Sequence, residues 1–210
     1  MLNELFAEFI GTFLLILLGN GVVANVVLKD TKGNNGGWLL ISIGWGLGVF
    51  VGVTVAGPVS GAHINPAVTL GLAAAGNFAW SQVLPFIAVQ MAGAAAGAGT
   101  VWLFYRHHFN RTEDGGTQLA CFATGPAIRK PLSNFISEVI GTFVLIFVIL
   151  YIADPSILLE DGAEVKMGLG TLGALPVALL VTAIGISLGG TTGYAINPAR
   201  DLAPRFMHML

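Results

Sequence analysis

The chain has 210 residues, of which 55% are hydrophobic and only 10% are charged, and its formal net charge is −2. Its mean hydropathy is +0.81, which argues against a soluble enzyme or a nucleic-acid-binding domain and predicts a membrane protein. The single cysteine, Cys121, excludes an internal disulfide and a multi-thiolate metal site. We therefore predict no metal and no cofactor.

Five stretches are long and apolar enough to cross a bilayer, which takes about 20 residues. They run from Leu5 to Leu28, Trp38 to Ala56, Val83 to Tyr105, Phe135 to Ala153 and Gly168 to Leu188. The first stretch does not fit a signal peptide, because it begins with Glu4 and Glu8, has no basic leader and is too long for an h-region. It is predicted to stay in the protein as a spanning helix.

The tripeptide Asn-Pro-Ala occurs twice, at Asn65-Pro66-Ala67 and at Asn197-Pro198-Ala199. Proline suits the first position of a helix because its missing N–H would be unpaired there, and a preceding Asn can cap the free backbone donors. Each triplet therefore predicts a helix start. The segments that follow, 68–77 and 200–210, are too short to span a bilayer but too apolar for ordinary loops. Re-entrant half-helices account for both properties.

The chain also contains an internal repeat. The sequence Glu-Phe-Ile-Gly-Thr-Phe at 8–13 returns as Glu-Val-Ile-Gly-Thr-Phe at 138–143, and the two Asn-Pro-Ala triplets have nearly the same separation. Three spanning segments separate equivalent positions, so the second copy enters the membrane from the opposite side. We predict an all-α, inverted-repeat bundle whose two half-helices meet at the midplane. Its parts are a first repeat at 1–105, a connecting loop at 106–132 and a second repeat at 133–210.

These motifs resemble the aquaporin superfamily, or major intrinsic proteins, and specifically its aquaglyceroporin (glycerol facilitator) branch. The resemblance covers nearly the whole chain and includes Gly-Ala-His before the first triplet and Arg-Asp after the second. Family members have a sixth spanning helix after the second half-helix, which this sequence lacks, so a truncated sequence is expected. The resemblance also implies a homotetramer in the plasma membrane, with one pore in each protomer.

Two facing helix N-termini indicate how such a pore would work. Each carries roughly half a positive charge and unpaired N–H donors, which repel cations and oppose proton hopping. The side-chain amides of Asn65 and Asn197 can donate to a permeating oxygen atom, although a plain capping role is the alternative for each. We predict a passive channel for glycerol and other small neutral solutes, such as urea or dihydroxyacetone, with water as co-permeant. No enzyme activity is predicted.

The resemblance implies a selectivity filter formed by Arg200, Trp45 and Tyr194. A lipid-facing arginine would cost about 3 kcal/mol near the bilayer centre, so Arg200 is expected to face protein or water. The alternative, a snorkelling anchor, better describes Arg205. Aromatic rings combine an apolar face with a polar edge, as a polyol does, although each could instead face lipid or pack against a helix. Water-selective members carry His at the position of Gly185, whose missing side chain is expected to widen the pore.

Ionisable residues in the apolar segments allow two interpretations. Glu8 and Glu138 could form a proton relay, which would make the protein a proton-coupled secondary transporter of inverted-repeat architecture. The resemblance implies instead that both glutamates brace the loops that carry the triplets. His63 is expected to be a loop-holding hydrogen-bond partner, and Asp201 is expected to have a structural role. A receptor or scaffold without transport is a third possibility.

Two arguments about the orientation of the chain in the membrane disagree. The resemblance places the N-terminus in the cytoplasm. The distribution of Lys and Arg between the connecting segments predicts the reverse under the positive-inside rule. We adopt the orientation that the resemblance implies.

Small residues four positions apart predict close helix packing. They are Gly44, Gly48 and Gly52 in the second stretch, and Gly93 and Gly97 in the third.

Overall fold

The computed structural model describes residues 1–153, 155–159 and 163–210. Within these residues, five helices are long and apolar enough to cross a membrane, which confirms the predicted all-α membrane fold. Four of them are α1 (Leu2–Val27), α2 (Gly37–Ser60), α4 (Trp80–Arg111) and α6 (Pro131–Ile149). The fifth joins a 3-10 turn at Gly170–Ala174 to α7 (Leu175–Leu188). Two shorter helices, α3 (Pro66–Ala74) and α8 (Pro198–Met209), begin within the Asn-Pro-Ala triplets.

The segments between the spanning helices contain more regular structure than the sequence predicts. Helix α4 continues to Arg111, and a short helix α5 (Gly115–Ala120) follows, so the expected loop at 106–132 is partly helical. The Asp114 carboxylate caps α5 by accepting from the Thr117 N–H (2.6 Å) and the Thr117 hydroxyl, and these bonds lower the pKa of Asp114. A two-stranded antiparallel hairpin pairs β1 (Ser156–Leu158) with β2 (Glu164–Lys166).

The two repeats correspond element by element but are packed unequally. Helices α1, α2 and α3 of the first repeat are equivalent to α6, α7 and α8 of the second. Helix α1 packs along both α2 and α4 and has eleven buried residues. Helix α6 is largely exposed, and only Gly141 and Leu145 are buried. In the described part of the chain no helix follows α8, so α6 has no neighbour equivalent to α4.

Close approach of α1 and α4 depends on glycine, as the spacing predicts. A Cβ added to Gly97 would lie 2.7 Å from the Phe13 carbonyl oxygen and 3.0 Å from the Ile16 Cβ. Gly93 faces the α1 backbone at Phe9 in the same way. Glycine at these positions lets the two backbones come into direct contact, which is how helices pack in a membrane without a hydrophobic driving force between them.

We expect Gly97→Ala to destabilise the protein because a methyl group would meet backbone atoms of α1. Overpacking of this kind costs about 1–3 kcal/mol. Gly99→Ala is the matched control, since a Cβ there would have an ordinary contact of 3.5 Å with the Met207 Cε. The apparent Tm in detergent should fall for Gly97→Ala alone, and equal Tm values for the two variants would contradict the packing described here.

Candidate functional site

The two half-helices begin at identical asparagine caps. The Asn65 Oδ1 accepts from the Ala67 N–H (2.8 Å) at the start of α3. The Asn197 Oδ1 accepts from the N–H groups of Ala199 (3.0 Å) and Arg200 (3.2 Å) at the start of α8. A proline occupies the first helical position in both cases, where its lack of an N–H leaves no donor unpaired. The side-chain oxygens are thus used to start the helices, which leaves the side-chain NH₂ groups for other contacts.

Each NH₂ group crosses to the opposite repeat. The Asn65 Nδ2 donates to the Ile196 carbonyl oxygen (2.9 Å), and the Asn197 Nδ2 donates to the Ile64 carbonyl oxygen (3.0 Å). The N-termini of α3 and α8 are therefore joined by two reciprocal hydrogen bonds between residues more than 130 positions apart. This contact confirms that the two inverted half-helices meet tip to tip.

The backbone that leads into each cap has an unusual conformation. Ala62 and Ile64 before α3, and Tyr194 and Ile196 before α8, have φ values between 39° and 50°. For residues other than glycine this left-handed region costs about 1–2 kcal/mol each. In both loops the left-handed residues are the first and third of the three that precede the asparagine, so the strained conformation is a feature of both repeats. Other contacts must hold the loops in this shape.

In the first repeat these contacts come from the fully buried Glu8 of α1. Its Oε1 accepts from the His63 N–H (2.8 Å) and the Ser60 hydroxyl (2.7 Å). Its Oε2 accepts from the Ile64 N–H (2.7 Å) and the Gln90 Nε2 (2.7 Å). The Glu8 carboxylate therefore joins α1 to the end of α2, to the loop before Asn65 and to α4.

In the second repeat Glu138 of α6 makes the equivalent contacts. Its two oxygens accept from the N–H groups of Ala195 (3.1 Å) and Ile196 (3.0 Å). These are the two residues before Asn197, just as His63 and Ile64 are the two residues before Asn65. No side-chain donor equivalent to Gln90 reaches Glu138 in the described residues, so this carboxylate has half as many partners.

His63 is packed among aromatic rings beside the first loop. Its Nδ1 lies 3.1 Å from the Thr69 hydroxyl, and its ring centroid lies 4.5 Å from that of Phe78 and 5.1 Å from that of Phe86. Thr69 in turn accepts from Gln90 (3.0 Å). Across the described ranges, no group of three His, Cys, Asp or Glu side chains is arranged to hold a metal ion.

Arg200 and Trp45 are in direct contact. The Arg200 Cζ lies 4.2 Å from the centroid of the Trp45 ring, a cation–π geometry, and the arginine is only 7% exposed. Within the described residues Arg200 forms no ion pair, and its Nη1 has no hydrogen-bond partner. A buried guanidinium in this state keeps donor capacity that the protein itself does not use.

A cavity of about 250 Å³ connects these features. It reaches both capping asparagines, the loop residues that precede them, and the Arg200, Trp45 and Tyr194 side chains. The remaining wall is mostly aliphatic and includes Leu15, Val49, Val53, Val68, Leu72, Leu145, Ile149, Val177 and Val181. The structure thus brings the two capping asparagines and the Arg200, Trp45 and Tyr194 side chains to one cavity with a few polar groups on an apolar surface.

Gly185 does not widen this cavity in the expected way, because the space beside it is occupied. A Cβ added to Gly185 would lie 2.8 Å from the Tyr194 Cζ and 3.0 Å from the Tyr194 Oη. Gly185 is also not among the residues that line the cavity. Its missing side chain makes room for the tyrosine ring, so its influence on the pore passes through Tyr194.

Arg205 is not the snorkelling anchor that the sequence suggests. Its guanidinium forms a paired contact with the Asp201 carboxylate (shortest distance 2.9 Å) and donates to the Thr124 carbonyl oxygen (2.8 Å). The Asp201 Oδ1 also accepts from the Thr124 N–H (2.7 Å) and hydroxyl (2.8 Å). These contacts attach the connection between α5 and α6 to the first turns of α8, next to Arg200.

Sequence reasoning missed several residues that hold the loops. Ser60, Thr69, Gln90 and Thr124 all make the contacts described above. Gln90 gave a usable signal, because a polar amide inside an apolar spanning segment needs a partner within the protein. The other three are short hydroxyl residues, and they lie at the end of α2, in α3 and in the connection between α5 and α6, where such residues are common and carry no distinct pattern.

Comparison with known proteins agrees with this architecture. The sequence profile of the family described as "Major intrinsic protein" matches residues 1–210. A "Glycerol uptake facilitator protein" from Streptococcus pneumoniae (strain ATCC BAA-255 / R6) is 52% identical over 210 residues, which cover 100% of this chain and 85% of that protein. A "Glycerol uptake facilitator protein 3" from Lactiplantibacillus plantarum is 52% identical over 205 residues, covering 98% and 81% of the two chains.

A solved structure shows the same fold. The X-ray structure of the aquaglyceroporin from Plasmodium falciparum superposes with a TM-score of 0.83 at 33% sequence identity, covering 99% of this chain and 81% of that one. The fold and the paired half-helices define an inverted-repeat membrane protein with a central cavity. Because the family profile matches residues 1–210, the chain belongs to the major intrinsic protein family, as its motifs predicted.

We expect Glu8→Gln to destabilise the first loop, because an amide replaces one acceptor oxygen and leaves buried donors unpaired at about 1–3 kcal/mol. Glu138→Gln should have a smaller effect, since Glu138 has two donors and Glu8 has four. Glu4→Gln is the control on α1, because the Glu4 carboxylate pairs with the N-terminal ammonium. Thermal unfolding in detergent tests this order, which an equal loss for Glu4→Gln and Glu8→Gln would contradict.

We expect Asp201→Asn to release the Thr124 backbone from α8. A hydrogen bond to a charged group contributes about 1.5–3 kcal/mol, so amide exchange at Thr124 should accelerate about tenfold or more. Asp114→Asn is the matched control, because it removes a carboxylate that binds the Thr117 N–H instead. Hydrogen–deuterium exchange measures both amides, and unchanged protection at Thr124 in Asp201→Asn would contradict the attachment.

Proposed function

We propose that the protein is a passive membrane channel for glycerol and other small neutral solutes, with water as co-permeant. The observation that carries this proposal is the single cavity that reaches both Asn-Pro-Ala caps and the contact between Arg200 and Trp45. The relatives named as glycerol uptake facilitators support the choice of glycerol.

The chemistry of the cavity suits a molecule with two kinds of surface. Glycerol has hydroxyl groups along one side and carbon–hydrogen groups along the other. Arg200, which lines the cavity, would donate to hydroxyl oxygens, while the rings of Trp45 and Tyr194 and the aliphatic wall would contact the carbons. Asn65 and Asn197 would donate to the solute or to water, because an NH₂ group has a second hydrogen beyond the one used across the interface.

Ion exclusion follows from charge. The N-termini of α3 and α8 point at the same place, so their partial positive charges add there. Arg200 supplies a positive charge close by, and within the described residues it forms no ion pair. Both features raise the energy of a cation or a proton in the cavity.

The alternative of a proton-coupled transporter has no support in the contacts of its candidate relay residues. Glu8 is occupied by four donors and Glu138 by two backbone N–H groups. These bonds hold the carboxylates against the loops before the two caps, and the donors include the two backbone N–H groups that precede each asparagine. We assign Glu8, Glu138 and His63 to loop bracing.

We further propose that the channel lies in the plasma membrane and acts as a homotetramer with one pore in each protomer. The outward faces of the spanning helices carry exposed apolar side chains, for example Leu47, Leu103 and Phe143. Such faces suit contact with lipid or with other protomers.

The proposal is tested by stopped-flow light scattering on proteoliposomes with water, glycerol, urea and a larger polyol. Glycerol flux should rise linearly with concentration and should not respond to a proton gradient. Saturation at low concentration together with drive by a proton gradient would establish the transporter instead. Absence of glycerol flux above that of empty liposomes would contradict both the channel and the transporter.

We expect Arg200→Ala to broaden selectivity, because it removes the positive charge and the largest donor group of the filter. Permeability to the larger polyol should rise about fivefold or more, the effect of roughly 1 kcal/mol on a barrier, and a proton leak should appear with a pH-sensitive dye. Arg106→Ala is the control, since Arg106 stacks on Trp102 outside the cavity. Unchanged selectivity in Arg200→Ala would contradict the assignment of this residue to the filter.

A further inference from the structure

Tyr194 lines the cavity, but its hydroxyl does not face it. The residue is 5% exposed, and its Oη is inaccessible to solvent. The oxygen forms no hydrogen bond of standard geometry with any described residue. The ring therefore borders the pore while the polar end is directed into the protein.

The hydroxyl is directed at a small polar site formed by α2 and α7. A point at the Cβ position of Gly185 would lie 3.0 Å from the Tyr194 Oη and 3.1 Å from the Ser42 Oγ, so both oxygens border the same small space. Ser42 is fully buried, interacts with the Tyr194 hydroxyl, and likewise has no hydrogen bond of standard geometry. Two buried hydroxyl groups face one another here, and each is the natural partner of the other.

Trp38 closes this site from the side. Its ring meets the Tyr194 ring edge to face, with centroids 5.8 Å apart and planes at 82°. Its Nε1 donates to the Gly185 carbonyl oxygen (2.8 Å), which ties the start of α2 to α7. Tyr194 also has a left-handed φ of 41°, which helps to set the direction of its side chain.

We infer that Ser42 is a positioning residue for the filter: its hydroxyl retains the Tyr194 hydroxyl in the protein interior, so that Tyr194 presents only its ring to the solute. This inference rests on the proposed glycerol channel and identifies what sets the aperture beside Arg200. Without Ser42 the tyrosine hydroxyl loses the buried hydroxyl that faces it. A buried hydroxyl without a partner is unfavourable, and the available alternative is the cavity, where the oxygen would narrow the passage and compete for the Arg200 donors.

The inference predicts how glycerol permeability differs among the unmodified protein, two single variants and the double variant. Ser42→Ala should lower glycerol permeability about fivefold, the size expected for one hydrogen bond made or lost, with a smaller change for water. Tyr194→Phe keeps the ring and removes only the hydroxyl, so its permeability is the reference for Ser42→Ala in a channel without a tyrosine hydroxyl. The double variant Ser42→Ala/Tyr194→Phe should regain the permeability of Tyr194→Phe, since no hydroxyl remains to enter the passage.

The measurement is stopped-flow permeability to glycerol and water in proteoliposomes, with apparent Tm determined for each variant. Ser137→Ala, on the exposed part of α6, is the matched control for a serine in a spanning helix. Rescue by Tyr194→Phe is decisive, because a loss caused by general destabilisation would persist in the double variant. Unchanged glycerol permeability in Ser42→Ala, or an equal loss with and without the tyrosine hydroxyl, would overturn the inference. Failure of the proposed glycerol channel can be distinguished from failure of this inference, because the unmodified protein itself would then show no glycerol flux.

Discussion

Strained loop backbone held by two glutamate carboxylates is the constraint on which the centre of this protein depends. Four non-glycine residues before the two caps have left-handed φ values, at a cost of about 1–2 kcal/mol each. Glu8 and Glu138 offset this cost by accepting the N–H groups of the two residues before each asparagine. Two unfavourable features, unusual backbone and charge at membrane depth, thus stabilise each other.

The reciprocal asparagine bonds follow from that arrangement. Because each loop is fixed by a glutamate, the Ile64 and Ile196 carbonyl oxygens are available to the side chain of the opposite repeat. The half-helices are therefore joined through their caps, with their positive ends together, and Arg200 is fixed in the first turn of α8. The charge in the cavity is a consequence of backbone geometry as well as of one arginine.

The two repeats share the same glutamate–loop contacts, but different residues pack around these contacts in each repeat. Glu8 is completed by Gln90 from α4, and α4 also packs on α1 through glycine. Among the described residues Glu138 accepts from two backbone N–H groups, and α6 is mostly exposed. The second half gains different support from Asp201 and Arg205, which attach the α5–α6 connection to α8. These contacts fall beside the filter residue, so stability and selectivity are linked there.

The sequence by itself determined the membrane class, the inverted repeat and the two helix starts, because apolar length, repeated motifs and Asn-Pro capping are local properties of the chain. It also indicated that Arg200, Glu8 and Glu138 must face protein or water, since charge in hydrocarbon is costly. Only the tertiary structure decided that Arg205 pairs with Asp201, that Gln90 completes the Glu8 site, and that the space at Gly185 is filled by Tyr194. Those outcomes are contacts between residues that are far apart in the sequence. No local sequence pattern specifies which of them come together in the folded protein.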